Sequence, residues 1–126
     1  VTISNVTDLD EITKRVVQIN KDNGWSDDVP EVGTPEFTNW LITKLALVMT
    51  EIAEGIEEVR KGIDPTETYY LTDSPTKPEG LGSELADAVI RSIHLAYLVG
   101  IDLPSNIDEK LTYNATRGYR HGGKAA

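Results

Sequence analysis

Four carboxylates at a repeated spacing are the first residues in this 126-residue chain that could do chemistry. Glu51 and Glu54 stand three apart, and Glu84 and Asp87 repeat that interval. On a helix, residues three apart share one face, so each pair presents two oxygen donors in one direction. Two such helices facing each other would gather four hard ligands, a set that suits Mg²⁺, with Mn²⁺ as the alternative, over zinc. The chain has no cysteine, which excludes thiolate zinc sites, iron–sulfur clusters, disulfide frameworks and a thiol nucleophile. A redox or metal-storage bundle would need Glu-x-x-His on two helices, and neither pair has it.

The surroundings of the second pair sharpen the point. Leu85, Ala88, Val89, Ile90, Ile93, Leu95, Ala96, Tyr97 and Val99 make that segment apolar over most of a helical circumference. One narrow strip of Glu84, Asp87, Arg91 and His94 is left polar. A helix of this kind is expected in the interior, its strip facing a cavity or a partner. Buried carboxylates need compensating cations. Arg91 supplies one charge, and a divalent ion is the natural remainder. The competing reading for Glu51, Glu54, Glu57 and Glu58 is a solvated acidic face.

The elements that must carry these residues are helical almost throughout. Asp8 caps a first helix with Glu11 three residues on, and Ile12, Val16 and Ile19 follow at helical spacing until Asn23-Gly24. Residues 26–35, with two prolines and a glycine, form a connection. Thr34 and Pro35 open a second helix over 35–61, closed by Gly62. Its stripe of Ile42, Leu45, Met49, Ile52, Ile56 and Val59 is expected to lie against a partner helix. Residues 62–83 read as a long loop, a third helix as 83–99 before Gly100, Pro104-Ser105-Asn106 as a turn, and a fourth helix from about Ile107 to Arg117. The expectation is one all-α domain over 1–126, four helices in a bundle-like arrangement with a long loop between the second and third. Trp25 and Trp40 are expected in its core.

Twelve basic against twenty-one acidic side chains give a net charge of −9, which argues against a nucleic-acid polymer as partner. From Lys110 onward there is no acid, only Lys110, Arg117, Arg120 and Lys124, so an acidic body carries a basic tail. That polarity suits an anion held through metal between the two, or simply two solvated surfaces. No apolar run approaches the roughly 18 residues of a membrane span, and no basic start leads into an apolar segment. An untargeted protein with no membrane partner is the expectation.

Glu51-Ile-Ala-Glu54, a long loop, and Glu84-Leu-Ala-Asp-Ala-Val-Ile-Arg91 together resemble the all-α nucleoside triphosphate pyrophosphohydrolases of the MazG-like branch. The likeness extends through Lys77-Pro-Glu-Gly-Leu-Gly82, Lys110-Leu-Thr-Tyr-Asn114-Ala-Thr-Arg117 and Arg120-His-Gly-Gly-Lys124, over roughly residues 42 to 124. It implies Mg²⁺-dependent hydrolysis of a (d)NTP at the α–β linkage, giving (d)NMP and pyrophosphate. By the same resemblance Glu51, Glu54, Glu84 and Asp87 hold the metal, which polarises the α-phosphoryl oxygens and lowers the pKa of the attacking water. Glu54 or Glu58 accepts that water's proton. Lys110, Asn114, Arg117, Arg120 and Lys124 contact the nucleotide, and the guanidinium groups can bind phosphate bidentately.

His94 stands where relatives often carry an aspartate, and it is expected to be a hydrogen-bonded structural residue. Trp25 resembles an aromatic that some relatives place near the base. The family implies a homodimer or tetramer, and a nucleotide substrate goes with a cytoplasmic setting. The alternative from another class is a non-catalytic helical module that binds a nucleotide or a protein.

Overall fold

The computed structural model describes residues 8–24 and 28–118. Four helices and one small hairpin follow in the order α1 (Leu9–Asp22), α2 (Pro35–Arg60), β1 (Tyr69–Leu71), β2 (Ser74–Glu79), α3 (Leu81–Val99) and α4 (Leu103–Thr116). The architecture is all-α, with the hairpin set into the long connection between α2 and α3.

Local chemistry accounts for the helix ends. Asp8 accepts the Glu11 amide at 2.7 Å and Thr34 accepts the Phe37 amide at 3.2 Å, each satisfying a donor left free at a first turn. Pro35 occupies the first turn of α2 at no loss of a hydrogen bond. Gly100 ends α3 in the left-handed conformation at φ 78°.

Three boundaries differ from the sequence reading. The segment read as unbroken loop contains the antiparallel pair β1–β2, with Tyr69 opposite Glu79, Leu71 opposite Ser74 and a register irregularity between them. Helix α3 starts at Leu81, two residues before Ser83, because Gly80 at φ 121° turns the chain directly from β2 into the helix without a side-chain cap. Helix α4 starts at Leu103. Asp102 caps it by accepting the Ser105 amide at 3.1 Å, so Pro104-Ser105-Asn106 is its first turn and not a separate bend. Proline and small polar residues favour turns and helix starts alike.

Helix α3 is the centre of the molecule, touching α1, α2, α4 and β2. The core is small: Val16, Ala88, Ile93, Leu95 and Ala96 are its buried apolar members. The apolar stripe of α2 is not covered within the chain. Ile42, Leu45, Met49, Ile52, Ile56 and Val59 are 45–71 % exposed, while the buried residues of α2 are Glu51, Gly55 and Glu58. Helix α3 is likewise interior only in part, since Leu85, Val89 and Tyr97 are about half exposed. Trp40 is half-buried, tilted against Phe37 at 5.9 Å, and does not belong to the core.

Candidate metal centre

The face that α2 turns toward α3 is acidic, and a glycine sets how near the helices come. A Cβ on Gly55 would lie 3.1 Å from Leu81 Cδ1 and 3.6 Å from Glu84 Cβ. With hydrogen there instead, Glu84 fits against the turn between Glu51 and Glu58. Glu51, Glu54 and Glu84 each bring one carboxylate oxygen to within 4.8 Å of the other two. Glu51 and Glu84 are buried, at 6 % and 8 % exposure, whereas Glu54 is open to solvent.

The charges are unevenly compensated. Arg91 Nε donates to Glu51 Oε1 at 2.8 Å, and this bond, outweighing burial, holds the Glu51 carboxyl below its ordinary range. Glu84 has no cation against it. Burial, reinforced by the carboxylates of Glu54 and Glu51, pushes it up to about 7. Its Oε2 is sealed from solvent and has no hydrogen-bond partner. A buried acceptor in that condition is unfavourable unless a proton or a cation reaches it.

Asp87, one turn beyond Glu84, is exposed and stands beside the converging triad rather than within it. Its carboxyl is raised by burial and by the charge of Glu51, while Arg91 and Lys77 oppose the shift. On the same side, Asn20, Glu51, Asp87, Ile90, Arg91 and His94 line a cleft of about 210 Å³.

A second group of acids shares Glu84. Oxygens of Glu58, Glu79 and Glu84 also lie within 4.8 Å of one another. The Tyr69 hydroxyl donates toward both Glu58 oxygens, at 2.7 and 3.0 Å, and this carboxylate in turn pushes the phenol up to about 12. Lys61 approaches Glu58 at 3.8 Å, and Lys77 approaches Glu79 at 3.4 Å.

Of the residues singled out in the sequence, Glu51, Glu54 and Glu84 converge, Asp87 adjoins them, and Glu58 lies on the far side of Glu84. Lys110 and Arg117 are exposed on α4 and just after it, stacked over the Tyr113 ring at 5.5 and 5.8 Å, and Asn114 is exposed on the same helix. The cations that act on the acids are instead Arg91 and Lys77. Arg120, Lys124 and Trp25 lie outside the described residues. Sequence reasoning missed Asn20, Gly55, Tyr69 and Glu79. The tyrosine and Glu79 carry no spacing signal, because a hairpin in a presumed loop delivers them.

Comparison of the chain with protein-family models, with curated proteins and with solved structures gave no match. No helix among the described residues is long and apolar enough to cross a membrane. The site's own chemistry therefore carries the functional argument.

Proposed function

We propose that this chain is a Mg²⁺-dependent nucleoside triphosphate pyrophosphohydrolase, cleaving a (d)NTP to (d)NMP and pyrophosphate, as its resemblance to MazG-like enzymes suggests. The observation that carries the reading is the buried, partnerless Glu84 Oε2 beside Glu51 and Glu54. Only oxygen donors converge there, which fits Mg²⁺ and also Mn²⁺. Glu51, Glu54 and Glu84 would hold the ion, with Asp87 at its edge. When bound, it would polarise the α-phosphoryl oxygens and make a water a better nucleophile.

The chain's own residues supply the rest. Arg91 fixes the Glu51 carboxylate by a hydrogen bond through Nε. Glu54, the solvent-facing acid, takes the water's proton. Glu58 is less suited to that task, because Tyr69 donates to both of its oxygens. The cleft between Asn20 and His94 receives part of the nucleotide, and Lys77 meets phosphate at the rim. Lys110, Asn114 and Arg117 would reach the phosphates from a neighbouring copy. In this reading a homodimer or tetramer covers the exposed stripe of α2, and the substrate goes with a cytoplasmic setting.

The second reading, a non-catalytic module for a protein partner, is favoured by the same exposed apolar stripe. Calorimetry with a non-hydrolysable (d)NTP analogue separates the two. The enzyme reading expects analogue binding that requires Mg²⁺ and is lost in Glu84→Gln. Binding indifferent to both, or none, would reject it.

A further inference from the structure

We infer that Glu58, Glu79 and Glu84 form a second divalent-cation site, on the hairpin side of Glu84, so that this one carboxylate is shared between two neighbouring ions. The inference rests on the reading above only in taking Glu51, Glu54 and Glu84 as a cation site.

Three donors arrive from three different elements, and each is positioned by something other than chance proximity. Glu58 comes from α2 with its side chain 7 % exposed, Glu79 from the end of β2 with its side chain 15 % exposed, and Glu84 from α3. The register of the hairpin pairs Tyr69 directly with Glu79. One short β-pair thus brings both a ligand and the hydroxyl that fixes Glu58. Gly80 locks the junction: it sits at φ 121°, where a Cβ would fall 2.4 Å from the Glu67 carbonyl oxygen. The end of β2 is thereby packed against the incoming loop, which holds Glu79 near the first turn of α3.

A cluster of acids alone would not suffice, since solvated carboxylates are common. The added observation is Glu84 itself, more than nine-tenths buried, with Oε2 lacking any partner in the middle of the two acid groups. A carboxylate has two oxygens, and one ion on the Glu51 side satisfies at most the demand from that side. Tyr69 is a neutral donor. It orients Glu58 in the way outer partners orient metal ligands, and removes none of its charge. The lysines near Glu58 and Glu79 are 59 % and 71 % exposed and 3.8 and 3.4 Å away, so they act through solvent and are free to swing clear. Six carboxylates, Glu51, Glu54, Glu58, Glu79, Glu84 and Asp87, are gathered here, and Arg91 is the cation bonded at short range.

Mn²⁺ added to the full-length chain, followed by electron paramagnetic resonance and by calorimetric stoichiometry, tests this. Two ions per chain are expected, with the broadened spectrum of a spin-coupled pair bridged by a carboxylate. In Glu79→Gln the count should fall to one with an isolated-ion spectrum, circular dichroism confirming the fold. Two ions retained in Glu79→Gln would overturn the second site. A single uncoupled ion in the unaltered chain, lost in Glu54→Gln but kept in Glu79→Gln, would overturn it while leaving the first site standing. No bound ion at all would remove both. The spectrum of the unaltered protein decides the matter even where a variant does not fold.

Discussion

Arg91 Nε and Glu51 Oε1, forty positions apart in sequence, meet at 2.8 Å and tie α3 to α2 at the edge of the acid cluster. The carboxylate is buried and the guanidinium is half in water, with side-chain exposures of 8 % and 44 %. Arg91→Ala leaves Glu51 buried without its donor. We expect a loss of about 1–2 kcal/mol, below the full value of a broken buried pair because the arginine is partly hydrated. Glu51 sits below its ordinary carboxyl range, so this stabilisation is present above about pH 4.5 and fades as the pH falls through the lowered value. Urea unfolding at pH 7 and pH 3 checks both statements. An equal effect of the substitution at the two pH values would contradict them.

Glu84 runs the other way. Held up to about 7, it keeps its proton in the fold over a range where the unfolded chain has lost it. Metal-free stability should therefore fall as pH rises from about 4.5 to 7 and then level off. The groups around it are the carboxylates of Glu51, Glu54, Glu58 and Glu79, all of which oppose its ionisation. Glu84→Gln stays neutral, so in chelator it should be more stable than the parent at pH 8, by about 1–3 kcal/mol, and nearly equal at pH 4. Bound Mg²⁺ should displace the proton, so affinity for the ion rises through pH 7 with proton release. Calorimetry in buffers of different ionisation enthalpy reads that release, and its absence at pH 6 would speak against Glu84 as a ligand.

The bond from Tyr69 to Glu58 gives a spectroscopic handle. Because the neighbouring carboxylate disfavours phenolate, one tyrosine should titrate at about pH 12, well after an ordinary phenol. Tyr69→Phe should abolish this late step in the ultraviolet titration. It should also cost about 1–2 kcal/mol at neutral pH, since buried Glu58 loses its donor. A late-titrating tyrosine that persists in Tyr69→Phe would show that the assignment is mistaken.

Met49 and Ile52 lie on the α2 stripe at 71 % and 45 % exposure. An apolar row of this length on a 26-residue helix suits the same row on a second copy. Light scattering should give at least twice the 13.9 kDa chain mass, and Ile52→Asp should reduce it to the single-chain value. A monomeric parent protein would contradict this assembly.

Much of this arrangement is legible in the residues. Capping pairs such as Asp8 with Glu11 and Thr34 with Pro35 mark helix starts through local hydrogen bonding, and the repeated three-residue interval brings Glu51, Glu54 and Glu84 to one place. What could not be read depends on tertiary contact. The hairpin has only nine residues of strand, one of them proline at position 75 and another at 78, so its composition looks like loop. The role of Gly55 depends on α3 arriving there, which no local pattern encodes. The stripe on α2 shows periodicity truthfully, but periodicity does not say whether the covering partner belongs to the same chain.

Phosphorus NMR of the protein incubated with a panel of (d)NTPs and Mg²⁺ tests the central claim most directly. We expect at least one nucleotide to give growing monophosphate and pyrophosphate resonances, with no signal growth in chelator or in Glu54→Gln and Glu84→Gln. Orthophosphate with a diphosphate would place the broken bond elsewhere. No turnover of any nucleotide, or undiminished turnover in both variants, would contradict the acid cluster as the seat of the reaction.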